Sequence, residues 1–297
     1  MRTIADILKL LRLHHWAKNL FVFAPAFFAL RLFDPVSMGR SALAALAFGL
    51  AASGVYAFND VLDRERDRFH PVKSARPVAS GKVGTREAAV LSIFTITSGA
   101  ALGWFLGPAC LWVLAAYLSI NILYSFHLKH LPIIDVFCVA SGFPLRVAMG
   151  GLATGIALSR WILVMTFLLA LFLALAKRRD DLLVLRGKGQ GSGGLEGYNI
   201  LFLNAAMVLS ASVLLVAYLM YGLDASVAAK AGTPHLHGTF LFVLMGVLRS
   251  LQLAFVKNDA GCPTRHFFRD PVLRLVMAGW AGLFLLLLYG PGLHLFD

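Results

Sequence analysis

Three aspartates, Asp60, Asp63 and Asp67, recur at i, i+3 and i+7 within the stretch Asn59 to Gly81, NDVLDRERDRFHPVKSARPVASG. On a continuing helix this spacing sets three carboxylates on one side over about two turns. Carboxylates stacked in this way repel one another, so the arrangement calls for a cation or several basic groups. Three hard oxygen ligands suit Mg2+, which takes a few carboxylates with waters and substrate phosphates rather than a complete protein cage. Pro71 and Pro77 are expected to end the helix, leaving His70, Lys73 and Arg76 on a loop able to fold back over phosphates. A solvated loop of mixed charge at a membrane surface is the plainer account; the spacing of the acids argues against it.

The chain that must hold these groups is very apolar. Of 297 residues, 59% are apolar and 14% are charged, which excludes an ordinary soluble globule, a disordered chain and a coiled coil. At about 1.5 Å per residue a span of roughly 30 Å needs about 20 residues. Apolar runs at 19–33, 41–58, 88–106, 109–126, 133–153, 159–176, 198–220, 236–256 and 271–290 therefore predict an all-α integral membrane bundle of nine helices. One catalytic transmembrane domain over 1–297 is the economical reading, with loops at about 59–87 and 177–197 carrying the polar site. Gly107 and Pro108 predict a tight turn between two antiparallel spans.

The net charge of +12 is explained by orientation before nucleic acid, because the basic residues are spread over the loops. Twenty-one Lys and Arg lie on the N-terminal side, among them Lys18, Lys73, Arg76, Lys129, Lys177 and Arg178, against four on the other, Arg31, Arg40, Arg160 and Lys230. The N-terminus and the long polar loops are thus expected in the cytoplasm and the C-terminus outside, in a cytoplasmic (inner) membrane. Reporter fusions after Phe69 and after Phe296 should then report opposite sides; a shared side would overturn this topology. Cys110, Cys138 and Cys262 lack C-x-x-C spacing and offer no sulfur cage. The N-terminal segment lacks an apolar run followed by a small-residue cleavage site, so the first run is expected to stay as a span. The stretch 187–194, GKGQGSGG, reads as a flexible connector and lacks Walker spacing. His14, His15, His127 and His130 pair with no acid at metal-ligand spacing and receive no catalytic role.

The pattern N-D-x-x-D-x-x-x-D at Asn59, Asp60, Asp63 and Asp67, followed by Arg76, Pro77 and Gly81, resembles the first aspartate-rich motif of the UbiA superfamily of intramembrane prenyltransferases. The resemblance implies a nine-helix UbiA-type bundle and a site in which these positions hold Mg2+ against a diphosphate. In place of the second D-x-x-x-D motif the chain carries Lys177, Arg178, Arg179, Asp180 and Asp181. With H-P-x-K-x-x-R-P at His70 to Pro77, W-x-K-N at Trp16 to Asn19, Y-S-x-x-L-K at Tyr124 to Lys129 and G-F-x-x-R at Gly142 to Arg146, it is similar to the branch of decaprenyl-phosphate phosphoribosyltransferases. That branch implies phosphoribosyl diphosphate as donor and a polyprenyl phosphate as acceptor. It further implies substrate-binding roles for Lys18, Asn59, Lys73, Arg76, Tyr124, Lys129, Arg146, Lys177, Arg178 and Asp181. Asp181 stands where the branch carries a glutamate in K-R-x-x-E.

Charges within the spans add support. Arg146 lies about 20 Å along the fifth expected helix and Arg249 about 10 Å inside the eighth, while Asp135 opens the fifth. Ionisable groups at such depth cost about 2.5–3.5 kcal/mol each on insertion scales and usually face the bundle interior. Either mutual pairing or a phosphate would satisfy the arginines. Two rival functions remain at this point. A UbiA-type prenyltransferase acting on an aromatic acceptor such as 4-hydroxybenzoate shares the metal motif but favours an intact second D-x-x-x-D. A transporter would also want intramembrane charge, yet tends to show two related halves and midplane breaks. Nucleic acid is not an expected partner, and self-association is left open.

Overall fold

The computed structural model describes residues 3–69, 73–187, 195–256 and 269–289. His70, Pro71, residues 188–194, Lys257, Cys262, Arg265 and Phe296 lie outside them. Among the described residues the secondary structure is helical, with no strand. The helices are α1 (Ile4–Leu10), α2 (Ala24–Phe28), α3 (Pro35–Leu62), α4 (Arg64–Arg68), α5 (Thr85–Leu106), α6 (Pro108–Phe126), α7 (Ile134–Thr154), α8 (Arg160–Gly187), α9 (Ile200–Leu223), α10 (Ala225–Ala231), α11 (Phe240–Phe255) and α12 (Pro271–Tyr289).

Among the described residues eight helices are long and apolar enough to cross a membrane, against nine expected. The difference lies at the first expected span, 19–33. Here the chain forms a 3-10 segment, Leu13–Phe23, followed by the five-residue α2. The segment is held by neighbours instead of by a long helix of its own. Trp16 Nε1 donates to Ser53 Oγ at 3.0 Å and Asn19 Nδ2 to the Ala45 carbonyl at 3.3 Å. Pro25 falls in the first turn of α2, where a missing N–H costs little.

The chain divides into two compact units, Met1–Leu128 with Gly142–Leu158, and Lys129–Ser141 with Ser159–Asp297. α7 contributes residues to both. In the first unit α3 packs along α5, and also against the 3-10 segment and α6. Small residues allow the approach: Ser92 Oγ on α5 donates to the Gly54 carbonyl on α3 at 2.8 Å. The core around them joins Val22, Phe48, Leu114 and Met149, each fully buried. Asp34 caps α3 by accepting from Ser37 N at 3.1 Å, which starts the helix at Pro35. The expected turn between spans is found, α5 ending at Leu106 and α6 beginning at Pro108.

Gly150 shows how closely the 3-10 segment is seated on α7. A Cβ at this position would stand 1.9 Å from the carbonyl oxygen of Val22, so no side chain fits without moving backbone. Gly150→Ala is expected to lower the thermal midpoint of the purified protein, at a cost of about 1–3 kcal/mol or more. An unchanged midpoint would show that the segment is not seated there.

In the second unit α8 packs on α9, and α11 on α12 and α9. Asp224 starts α10 by accepting from Ser226 N at 2.8 Å and takes the Trp161 Nε1 hydrogen bond, also at 2.8 Å. The Ser226 hydroxyl, which donates to it at 2.6 Å, and then the Trp161 and Ser226 N–H bonds hold its carboxyl well below the ordinary range, at about 2. Trp280 Nε1 donates to the Tyr218 hydroxyl at 2.6 Å, which meets Thr239 Oγ1 at 2.7 Å. Of the two intramembrane arginines, Arg249 is satisfied by pairing. Its Nη2 and Nε reach Asp270 at 2.6 and 3.2 Å, and its Nη1 reaches Gln252 at 2.7 Å.

Candidate active site

The acidic motif does not lie on one continuous helix. α3 ends at Leu62, ahead of both prolines, and Asp63 closes it with φ −89° and ψ 6° before the short α4 begins. Three acids stacked on a single helical face would oppose that helix; the turn at Asp63 breaks the stack. Asp60 sits in the last turn of α3 and Asp67 in α4, 2% and 3% exposed, while Asp63 is half-buried.

What joins the two buried acids is arginine. Arg76 Nη1 lies 2.6 Å from Asp67 Oδ2 and 3.4 Å from Asp60 Oδ1. Asp60 Oδ1 also accepts from Arg12 Nη2 at 2.6 Å. Arg12 adopts a left-handed backbone, φ 50°, between α1 and the 3-10 segment, with its guanidinium 4.8 Å from the centre of the Tyr56 ring. The loop bearing Arg76 is anchored by Val78 and Val83, which are buried with Leu10, Ala57 and Ala88. Lys73 opens the same loop in a short 3-10 turn. Desolvation, with Arg76 next in effect, draws its ammonium below the ordinary lysine value although much of its surface faces solvent. Asn59 is held from α6, its Oδ1 accepting from Ser125 Oγ; Tyr124 is the half-buried neighbour of that serine. Among the described residues no three His, Cys, Asp or Glu side chains gather as a metal-binding group. Asp60, Asp67 and Arg76 therefore come together as expected residues, and Arg12 joins them from outside the expectation.

Arg146 has its own set of partners in the first unit. It is 4% exposed on α7, with Nε on Asn19 Oδ1 at 2.9 Å and Nη1 on the Gly142 carbonyl at 2.7 Å. The rings of Phe48, Tyr117 and Phe143 surround it at 4.4, 5.4 and 5.9 Å. Amide, carbonyl and aromatic faces thus solvate this guanidinium. Lys18 lies on the 3-10 segment, its Nζ 6.0 Å from the Phe143 ring centre.

The remaining expected residues belong to the second unit. Lys129 lies in the short 3-10 turn Leu128–His130. A loop was expected from 177, but α8 continues through the basic run to Gly187; Lys, Arg, Asp and Leu without Gly or Pro give the backbone no reason to stop. Lys177 is exposed. Arg178 Nε donates to Asp135 Oδ2 at 2.8 Å, and its Nη1 is 3.8 Å from Asp181 Oδ2. Tyr198, which the motifs did not single out, donates its hydroxyl to the other oxygen of Asp135.

Residues 19–270 match the UbiA prenyltransferase family. The chain is 30% identical over 285 residues to the decaprenyl-phosphate phosphoribosyltransferase of Corynebacterium glutamicum, covering 94% of this chain and 86% of that protein. It is 33% identical over 286 residues to the enzyme of the same name from Mycobacterium tuberculosis, covering 93% and 92%. Its fold is similar to that of a UbiA homologue from Archaeoglobus fulgidus bound to GPP and Mg2+, with a TM-score of 0.70 at 17% identity over 94% of this chain and 99% of the other. The acidic motif, the long apolar helices and these likenesses agree, and the chain belongs to the UbiA prenyltransferase family as a multi-pass membrane transferase.

Proposed function

We propose that the chain transfers the 5-phosphoribosyl group of phosphoribosyl diphosphate to a polyprenyl phosphate, giving polyprenylphosphoryl-5-phosphoribose and diphosphate. The observation that carries this reading is the polar pole of the first unit. There two buried carboxylates from separate helices meet on one guanidinium, with a second arginine on Asp60. The names of relatives 30–33% identical over 93–94% of the chain support the choice of substrates. The distribution of Lys and Arg supports a cytoplasmic site, with the N-terminus on the same side.

The chemistry of the donor set, three carboxylates, suits a divalent cation. Asp60 and Asp67 already share one cation, the Arg76 guanidinium, and their hard oxygens suit Mg2+. Asp60, Asp63 and Asp67 would hold it, and once bound it would neutralise charge growing on the leaving diphosphate. In the reaction an oxygen of the polyprenyl phosphate bonds to the anomeric carbon of ribose. The bond from that carbon to the diphosphate breaks, and the diphosphate leaves with the electron pair. The acceptor is already an anion and needs alignment and desolvation more than a base. Arg76 and Lys73 would pair with diphosphate oxygens, and Asn59, held by Ser125, would orient the donor. In the other unit Lys177 and Arg178 are assigned a substrate phosphate. Lys18, Tyr124, Lys129, Arg146 and Asp181 are retained as contributors to substrate binding.

The test uses purified protein with radiolabelled phosphoribosyl diphosphate and polyprenyl phosphate. Label should move into the organic phase only when both are present. Label that stays in the aqueous phase would refute the reading.

A further inference from the structure

Asp135 ties together three segments of the second unit. It opens α7 and is 3% exposed. One of its oxygens takes the Nε bond of Arg178 from α8, and the other takes the Tyr198 hydroxyl. The Tyr198 hydroxyl oxygen also accepts the N–H of Ile133 at 2.6 Å. Tyr198 is itself well placed. It directly precedes Asn199, whose side chain caps α9 on Phe202 N at 2.7 Å. It follows Gly197, which has φ 92° and leaves no room for a Cβ, since Pro132 Cγ would be 2.6 Å away. The turn before α9 is therefore docked on the turn before α7, with the tyrosine hydroxyl as the link. Burial, then the bond to Asp135, raises the Tyr198 hydroxyl above its ordinary range, so it stays a donor near neutral pH.

A guanidinium is planar, and a carboxylate bound at Nε restricts the plane in which its remaining nitrogens lie. Arg178 is not sealed by this contact, for 21% of its side chain is exposed, next to the exposed Lys177. We propose that Asp135 and Tyr198 are positioning residues that orient Arg178 for a phosphate of the sugar donor. Asp135 acts directly on Arg178, and Tyr198 acts by holding Asp135. The inference rests on the assignment of Arg178 to a substrate phosphate.

The experiment is calorimetric titration of the full chain in nanodiscs with phosphoribosyl diphosphate and Mg2+, without lipid phosphate. Asp135→Asn and Tyr198→Phe keep the shapes of the side chains, and thermal midpoints monitor folding. Each is expected to weaken binding about tenfold or more, the scale of a hydrogen bond to a charged group. Because both act through Arg178, Asp135→Asn should add nothing in an Arg178→Gln background. Wild-type affinity in the folded single variants, or additive losses in the double variant, would overturn the proposal. A wild type that binds the donor, and is weakened as described, yet moves no ribose to lipid refutes the transfer reading and leaves the positioning intact. A wild type that binds no donor overturns both.

Discussion

Asp60→Ala, Asp63→Ala and Asp67→Ala are each expected to lower turnover by at least about two orders of magnitude, or about 2.7 kcal/mol of barrier. Removing Asp60 takes an acceptor from Arg12 and from Arg76 at once, since Nη2 of the first and Nη1 of the second lie 2.6 and 3.4 Å from its Oδ1. Asp67→Ala leaves Arg76 without its shorter contact, at 2.6 Å. Because both acids are buried, a loss of fold has to be separated from a loss of chemistry. Asp60→Asn and Asp67→Asn serve this purpose, keeping volume while removing charge, with thermal midpoints measured alongside. The companion experiment is chelation of the wild type, which should abolish transfer and be reversed by Mg2+ without a change in fold. Full activity in chelator, or in any two of the three alanine variants, would sink the metal assignment.

The second large effect concerns substrate choice. Lys177→Ala and Arg178→Ala are expected to impair phosphoribosyl transfer strongly, by about tenfold to a hundredfold in kcat/KM, the scale of one lost charge-assisted hydrogen bond. A sugar donor with a 5-phosphate and a lipid phosphate acceptor bring several anions into a low-dielectric region, which is unfavourable unless they are paired. Arg178→Ala also strands the Asp135 carboxylate, buried and left with the Tyr198 hydroxyl among its described partners. Lys177→Ala is therefore the cleaner variant, since that side chain is exposed. The wild type should not transfer a prenyl group to 4-hydroxybenzoate. Robust prenylation of that acid, with no ribosylated lipid formed, would hand the case to the aromatic prenyltransferase reading.

Local patterns in the chain carried a good deal of this. The length of the apolar runs predicted spans that α3, α5, α6, α7, α8, α9, α11 and α12 occupy, because a helix long enough for the bilayer needs an uninterrupted apolar stretch wherever it packs. The acids of the N-D-x-x-D-x-x-x-D pattern and the arginine that follows them were legible too, and Asp60, Asp67 and Arg76 do meet. The run 19–33 forms no long helix of its own, because apolarity alone does not distinguish a regular spanning helix from a shorter segment laid against other helices. What decides there is the hydrogen bonding of Trp16 and Asn19 to α3 and the space left by Gly150.

Composition and spacing by themselves determined that the chain is helical and membrane-embedded, where its acids and bases cluster along the sequence, and which family motif they resemble. Those properties depend on neighbours within a few residues, whose relative placement the backbone geometry nearly dictates. The tertiary structure alone decided the partners. Arg12 reaches Asp60 across 48 residues, Asn19 reaches Arg146 across 127, and Tyr198 reaches Asp135 across 63. It also broke the acidic face at Asp63 and then reunited two of its acids on Arg76. Contacts at such separations are chosen by which surfaces pack and which buried charges must be satisfied, and no local periodicity encodes that choice.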